Sequence, residues 1–233
     1  MKLARRGKII YDEELLGKLY VFKDRLHAGR ELGLACREIL KKADYILAVP
    51  MGGIPVGIMV SKELNAKFDI VICRKLLIPW NREAGFGAVG PDGHYFVDEV
   101  FARTIGLSDH DVKEAIEEQL DEIKKRNEVL RGGREYPSYD DLRVILVDDG
   151  VAAGYTMMAA INFVKSRGAK EIVIAVPTGC LDSLLRLSDK VDLIICLNVR
   201  SGPWFAVADA YTEWRDLEYE DALNLLREAG YMS

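Results

Sequence analysis

The stretch VILVDDGVAAGYTM, residues 144–157, constrains the fold of this chain more than any other. Residues 144–147 are apolar and mostly β-branched, without alternation, which is typical of a strand buried on both faces of a sheet. Asp148 and Asp149 follow directly. Two carboxylates at the end of a buried strand are unfavourable unless something outside the strand needs their charge. The pattern therefore predicts an α/β sheet with a ligand site at the carboxyl end of this strand.

The loop after the two carboxylates is built from small residues, which let a backbone approach a ligand closely. It runs from Gly150 to Gly154, and Thr156 opens the next predicted helix. The first amides of that helix would point back at the same place, and helix N-termini bind anions. We hypothesise that a phosphorylated sugar is held there, with its hydroxyls on the aspartates and its phosphate on the amides. The alternative, a plain capped turn, leaves the two carboxylates unexplained.

Composition sets the broad class of the protein. With 233 residues and an apolar fraction of 49%, the chain can form one α/β domain with an accessory element, or two small domains. The net charge of −5 argues against broad nucleic-acid binding. The N-terminus lacks the apolar core of a signal peptide, and Pro50 and Pro55 break the longest apolar run, residues 45–60. We therefore expect a cytoplasmic protein without a membrane segment.

Several familiar sequence motifs are absent from the chain. The four cysteines lie far apart, and neither they nor the three histidines have the spacing of a metal site, so we expect buried free thiols. The sequence contains no GxxxxGK[ST], and the glycines after Asp149 are not spaced as GxGxxG. These absences argue against a P-loop kinase and against a nicotinamide dehydrogenase.

Strands alternate with helices along the chain, which predicts α/β architecture, a mainly parallel sheet with helices on both faces. Helices are predicted over 12–42, 54–64, 108–131, 156–168 and 181–187, and strands over 45–49, 69–73, 95–100, 144–147, 171–176 and 193–197. Ser108 and Asp111 resemble a capping box that opens the third helix. Residues 76–93 contain Pro79, Pro91 and four glycines, so we expect an irregular, functional loop there.

Two further loops fall at the carboxyl ends of predicted strands, where ligands bind in open α/β sheets. Gly52 and Gly53, in the segment PMGG, can turn the backbone so that successive N–H groups face one point, which makes an anion-binding nest. The same glycines equally fit a tight strand-to-helix turn. Arg74 and Lys75 end another predicted strand, either as ligand-binding cations or as solvated surface charge. Together with the aspartates, these loops predict anion holders on two sides of a diol-binding acid pair.

These residues resemble those of the type I phosphoribosyltransferases. VILVDDGVAAGYTM is similar to their phosphoribosyl-diphosphate signature, which is a hydrophobic strand, two acids and a small-residue phosphate loop ending in Thr. PMGG stands where that family has its pyrophosphate loop, residues 76–93 where it has its flexible loop, and RSGPWFAVADAY where a hood closes over the acceptor base. The resemblance covers essentially the whole chain and extends to an uncharacterised subgroup with a similar RKL. It implies a single domain over 1–233, with hood elements at about 1–30 and 198–233.

The resemblance implies an activity. Ribose 5-phosphate would pass from 5-phosphoribosyl 1-diphosphate to a nitrogen acceptor such as a nucleobase, with release of pyrophosphate and with magnesium as cofactor. The implied partners are phosphoribosyl diphosphate and a small-molecule acceptor, without nucleic acid or membrane, and a homo-oligomer is left open. The alternative is a regulator that retains the fold and senses phosphoribosyl diphosphate or a nucleotide. The net charge of −5 and the absence of an added domain argue against that alternative.

The resemblance also implies roles for individual residues. Asp148 and Asp149 would bind the ribose hydroxyls and meet the magnesium ion indirectly, through those hydroxyls. The 5-phosphate would be held by the loop Gly150, Val151, Ala152, Ala153, Gly154, Tyr155 and Thr156. The pyrophosphate would contact Met51, Gly52 and Gly53, with Arg74 and Lys75 as catalytic cations. The acceptor would stack on Trp204 and Phe205.

Two departures from the family pattern bear on function. Many relatives carry Arg or Lys where this chain has Met51, so pyrophosphate binding would depend more on Arg74 and Lys75. Relatives that use hypoxanthine or guanine carry an acid where this chain has Ala152. The loop therefore resembles that of adenine, uracil or orotate enzymes, among which the sequence does not choose.

Overall fold

The computed structural model of the protein describes residues 1–202 and 204–232. Its strands are β1 Leu3–Arg6, β2 Ile9–Asp12, β3 Tyr45–Ala48, β4 Lys67–Ile70, β5 Arg74–Ile78, β6 Asn81–Val89, β7 Tyr95–Val97, β8 Arg143–Val147, β9 Glu171–Cys180 and β10 Leu193–Arg200. Its α-helices are α1 Arg25–Leu40, α2 Gly53–Leu64, α3 Glu99–Thr104, α4 Asp109–Arg131, α5 Tyr155–Ser166, α6 Leu181–Ser188 and α7 Tyr219–Glu228. A 3₁₀ helix covers Val207–Ala210.

The main sheet has seven strands in the described part of the chain, in the order β1-β2-β10-β9-β8-β3-β4. Neighbouring strands pair in parallel except β1 and β2, which are antiparallel. The strand β8 lies between β9 and β3, and its residues 144–147 are fully buried, as the continuous apolar run predicts. The predicted fold class, a mainly parallel sheet, is confirmed.

Helices cover both faces of this sheet. On one face Leu32 of α1 shares a core with Ile46 of β3, and α2 packs in the same cluster. On the other face Phe163 of α5 shares a core with Leu146 of β8, and α6 belongs to that cluster. Because the strands are parallel, their carboxyl ends meet at one edge, where the loops that follow them converge.

A smaller antiparallel sheet, β5-β6-β7, forms an accessory layer beside β4. Phe86 of β6 and Ile123 of α4 share a third core with Ile70 of the main sheet. A buried ion pair adds to this contact, since the Arg131 guanidinium donates to both carboxylate oxygens of Asp69 at 2.9 Å. The accessory layer thereby holds β5 next to the carboxyl end of the main sheet.

The helix predicted over 12–42 is wrong in its first part. Residues 9–12 form β2, and α1 begins only at Arg25. Asp24 determines this start, because its carboxylate accepts the N–H of His27 at 2.8 Å and caps the helix. Leu19, one of the apolar residues that suggested a helix here, is about half exposed in the bend before α1.

The irregular loop predicted over 76–93 is also wrong as secondary structure, because β5 and β6 form an antiparallel hairpin. Its glycines serve packing. A Cβ at Gly87 would lie 2.2 Å from the carbonyl oxygen of Phe96 in β7, and glycine inside a strand marks such close backbone approach. Glycines that suggested breaks in regular structure therefore lie inside a strand here. That the hairpin moves when a ligand binds stays a prediction.

The ends of the other predicted helices and strands differ less from those observed. The capping box at Ser108 and Asp111 is confirmed, and α4 ends at Arg131 as expected. The strand predicted over 95–100 ends at Val97, because Asp98 caps α3. The last two strands extend beyond their predicted ends, to the bounds given above. No helix among the described residues combines the length and the apolar character that a membrane span requires.

Gly87→Ala should lower the free energy of unfolding by about 2 kcal/mol, since a backbone carbonyl cannot move aside without disturbing the β6–β7 pairing. Gly90→Ala is the matched control, because its Cβ would meet nothing closer than 3.4 Å. We expect the control to change stability by about 0.5 kcal/mol or less. Urea denaturation measures both variants. Equal midpoints would show that the hairpin does not depend on this close approach.

Candidate functional site

A cavity of about 300 Å³ opens at the carboxyl ends of β3 and β8. It is lined by Val49, Pro50, Gly52, Cys73, Arg74, Lys75, Leu77, Asp148, Asp149 and Thr156. Members of all three loops that the sequence indicated therefore line one space. The two carboxylates lie between the PMGG loop, the start of β5 and the start of α5.

The two glycines of PMGG allow this loop to contact the carboxylates. A Cβ at Gly52 would lie 1.9 Å from Oδ2 of Asp149, and a Cβ at Gly53 would lie 2.8 Å from the Val147 carbonyl oxygen. The N–H of Gly53 donates to the carbonyl of Val49 at 3.0 Å, and neither glycine has a positive φ. The structure thus favours the tight strand-to-helix turn, made of residues small enough to touch the acid pair, over an anion-binding nest.

Asp149 is held from two sides. Its Oδ2 accepts a hydrogen bond from Nε of Arg25 at 2.7 Å, and its backbone carbonyl accepts one from the Tyr211 hydroxyl at 2.6 Å. The Arg25 guanidinium also stacks on the indole of Trp214, 3.8 Å from the ring centroid. Asp148 has a different environment, because its Oδ1 accepts the N–H of Asp149 at 2.8 Å. The pair is therefore asymmetric, with a cation on one member only.

The electrostatics of the pair follow from this asymmetry. Burial raises the pKa of both carboxyl groups, since it disfavours their charged form. The pKa of Asp148 lies well above its ordinary value, because the charge of Asp149 adds to the effect of burial. For Asp149 the Arg25 guanidinium opposes burial and draws the pKa down. The pKa of Asp148 is therefore raised more than that of Asp149.

The loop 150–156 is anchored to β9 and ends at an uncapped helix. The N–H of Val151 donates to the Thr178 carbonyl at 3.0 Å, and the Cys180 N–H donates back to Val151 at 2.8 Å. Ala152 and Ala153 are exposed, and Gly154, with a φ of 80°, makes the turn into α5. Among the described residues no side chain caps α5, and no acid occupies its first turn. The amides at this helix start can therefore bind an anion.

Arg74 and Lys75 face opposite sides of β5, because side chains alternate along a strand. Arg74 donates from Nε to the buried Gln119 of α4 at 3.2 Å, and burial lowers the pKa of its guanidinium. Lys75 is exposed and shares its face with Leu77, which lines the cavity beside it. Both residues line the cavity with the two carboxylates, but Nε of Arg74 is held by Gln119, so Lys75 is the more exposed cation of the two.

Comparison with known proteins agrees with this geometry. The model of the phosphoribosyl transferase domain matches residues 97–208. "Putative phosphoribosyl transferase Rv0571c" of Mycobacterium tuberculosis (strain ATCC 25618 / H37Rv) is 34% identical over 210 residues, which are 90% of this chain and 47% of that protein. Residues 97–208 form a phosphoribosyl transferase domain. The chain spans about half the length of the curated relatives it matches.

A solved structure is similar to most of this chain. The crystal structure of TT1426 from Thermus thermophilus superposes with a TM-score of 0.72 and 32% sequence identity. The match covers 89% of this chain and 98% of that one. The matched domain over 97–208 contains the acid pair and the loop into α5, whereas Gly52 and Lys75 lie before it. The site is therefore built partly from residues outside the matched domain.

The two aromatic residues expected over the acceptor do not line the 300 Å³ cavity. Trp204 is 92% exposed. Phe205 lies under the Arg200 guanidinium, which is 4.3 Å from its ring centroid. Pro203 and Ser233, which the hood prediction includes, lie outside the described residues.

Sequence reasoning missed Arg25, which pairs with Asp149, and Trp214, which packs against Arg25. Arg25 is separated from Asp149 by 124 positions in the chain, so no local spacing indicates their contact. The only signal near Arg25 is the helix cap Asp24 directly before it, which fixes where α1 starts. Trp214 carries no motif of its own.

The family resemblance implies magnesium, and the donor set can be tested against it. The described residues contain no group of three or more His, Cys, Asp or Glu side chains that could hold a metal ion. The two carboxylates nevertheless supply hard oxygen donors, and Mg²⁺ is commonly held by one or two carboxylates together with substrate phosphates. The site therefore fits a magnesium ion that arrives with a phosphorylated substrate and faces Asp148 and Asp149 through ribose hydroxyls.

Asp148→Asn should stabilise the protein by about 1 kcal/mol at about pH 7.5. A raised pKa means that the folded state binds the proton more tightly than the unfolded chain. The stability that Asp148 contributes is therefore fully present below its ordinary pKa of 3.8 and is lost as the pH rises through the raised pKa. Asparagine keeps the oxygen that accepts the Asp149 N–H and removes the titrating group.

Thermal unfolding of wild type and Asp148→Asn at about pH 7.5 and about pH 4 checks this. The gain in melting temperature should be seen at the higher pH and should shrink at the lower one. A variant that is less stable than wild type at both pH values would contradict the raised pKa of Asp148 in the folded protein.

Proposed function

We propose that the protein transfers ribose 5-phosphate from 5-phosphoribosyl 1-diphosphate to a nitrogen acceptor and releases pyrophosphate. One observation carries the proposal. The acid pair Asp148–Asp149 lies in a cavity between an uncapped helix start and a lysine, so diol and anion binders alternate across one small space. This order matches the order of chemical groups along phosphoribosyl diphosphate, which are a phosphate, a diol and a diphosphate.

Each end of the substrate has a binding group in the chain. The ribose hydroxyls donate to Asp148 and Asp149, and a hydroxyl on Asp149 takes the place of the Arg25 N–H. The 5-phosphate is bound by the amides of residues 152–156 at the start of α5. The pyrophosphate lies against Met51 and Gly52, with the Lys75 ammonium as its main positive partner.

Catalysis follows from charge placement. The bond between ribose C1 and the pyrophosphate oxygen breaks with its electron pair on the oxygen, and a bond forms between C1 and the acceptor nitrogen, whose proton passes to solvent. Positive charge develops on the ribose near the acid pair, and negative charge develops on the pyrophosphate near Lys75. A cation at that place stabilises the transition state more than the ground state. Magnesium bound with the pyrophosphate would neutralise part of the same charge.

The hairpin β5–β6 brings Lys75 to the cavity and is the segment that would exclude water. We propose that it closes over the bound substrate, because an oxocarbenium-like ribose would otherwise react with solvent. The base of the hairpin is packed in the core, where Phe86 is buried, so the closing movement is that of its exposed tip around Trp80.

Lys75→Met should lower turnover by about 100-fold, because it removes the cation that faces the leaving pyrophosphate. Arg74→Met is the comparison variant, since the Arg74 guanidinium contacts Gln119 of α4. We expect that change to affect stability and to leave turnover within a few-fold. Pyrophosphate release measured for both variants tests the assignment. Equal losses of turnover would show that both cations act on the pyrophosphate.

The activity itself is tested by a pyrophosphate-release screen with phosphoribosyl diphosphate, magnesium and a panel of acceptors that includes adenine, uracil and orotate. Release with one acceptor, abolished by Asp149→Ala while the fold persists, supports the proposal. Calorimetric binding of phosphoribosyl diphosphate without release on any acceptor would support the sensing regulator instead. Unchanged binding by the Asp149→Ala variant would contradict the assignment of the cavity.

A further inference from the structure

A second cavity, of about 490 Å³, adjoins the first and lies between the starts of α1 and α2, residues 213–217 and α7. Arg25 belongs to both sites, because it lines the second cavity and donates to Asp149 of the first. The volume falls in the range of small-molecule sites. None of the groups assigned above to phosphoribosyl diphosphate needs this space.

The walls of the second cavity suit a flat ring. Leu26, Pro55, Leu217 and Leu225 supply apolar surface beside Trp214. The indole is 36% exposed and Leu26 is 43% exposed, although both border a concave space. Arg25 and the Tyr211 ring, whose centroid is 5.1 Å away, hold the indole in place. A preformed apolar cleft with an ordered aromatic wall is typical of a site for a planar ligand.

The polar lining carries more acids than bases. The acids are Asp24, Glu213, Asp221 and Glu228, and the bases are Arg25 and Arg215. Both arginines are already paired, Arg25 with Asp149 and Arg215 bidentately with Asp221 at 2.6 and 2.8 Å. Even with Lys23 at 3.8 Å from Glu213, the balance is negative. Such a lining accepts hydrogen bonds from N–H groups and repels anions.

We propose that the second cavity is the acceptor subsite, and that it takes a flat nitrogen heterocycle with an amino group and no carboxylate, such as adenine. The inference rests on the proposed function. The ring packs between Trp214 and the apolar walls, and its amino group donates toward Glu228 and Asn224. A heterocycle that carries a carboxylate, such as orotate, is repelled, because the acidic side chains of the lining outnumber the basic ones. Of the three acceptor types that the sequence leaves open, the orotate type is disfavoured as long as Arg25 is paired with Asp149.

Arg25 couples the subsite to the sugar. Its side chain separates the two cavities while it pairs with Asp149. When a ribose hydroxyl takes its place on Asp149, Arg25 is released and the wall between the cavities opens toward the ribose. The two cavities therefore form one continuous space only when the acceptor and the sugar are both bound.

Calorimetric titration of adenine and of orotate into the full chain tests the inference, with phosphoribosyl diphosphate titrated separately. Adenine should bind at least tenfold more tightly than orotate. Trp214→Leu should weaken adenine at least tenfold. Glu228→Lys changes an exposed position on α7 and leaves the packing around Trp214 intact. It should weaken the binding of adenine and allow orotate to bind.

Tighter binding of orotate than of adenine by the wild type would overturn the inference. So would loss of adenine binding in Trp204→Leu but not in Trp214→Leu, which would place the acceptor at the exposed tryptophan. If phosphoribosyl diphosphate binds and neither heterocycle does, the subsite is wrong and the proposed function stands. If phosphoribosyl diphosphate does not bind, the proposed function fails and the acceptor subsite fails with it.

Discussion

The ion pair between Arg25 and Asp149 connects parts of the chain that are distant in sequence. Asp149 follows a central strand and is half-buried, so its charge needs a partner. Arg25 supplies that partner from the start of α1, and Trp214 supports Arg25 through its ring face. The Tyr211 hydroxyl holds the backbone of the same aspartate. The region after β10 and the start of α1 are therefore fixed relative to the 300 Å³ cavity by contacts at one residue.

The same contact explains how the cavity can be stable without a ligand. In the proposed function, Arg25 compensates the Asp149 carboxylate until a ribose hydroxyl replaces it. Holding the two carboxylates together costs free energy in the folded state, because burial raises the pKa of both. The glycines of PMGG extend the arrangement, because Gly52 leaves the space that the Asp149 carboxylate occupies.

The sequence predicted the parts of the site that depend on local chain geometry. A continuous apolar run followed by two acids indicated β8 and its ligand edge, and the rule that parallel strands share a carboxyl edge brought PMGG and Lys75 to the same place. It failed where distant packing decides. The β5–β6 hairpin needs glycine at position 87 because β7 approaches it, and no local pattern shows that approach. Arg25 and Trp214 reach Asp149 only through the tertiary fold.

The most direct test is a crystal structure of the complex with phosphoribosyl diphosphate and magnesium. We predict that the ribose hydroxyls bind Asp148 and Asp149, that the 5-phosphate binds the amides at the start of α5, and that Arg25 is displaced from Asp149. The pyrophosphate should lie within contact of Lys75. A ligand bound in the opposite direction, with its diphosphate at α5, or one that leaves the Arg25–Asp149 pair intact and binds elsewhere, would contradict this prediction.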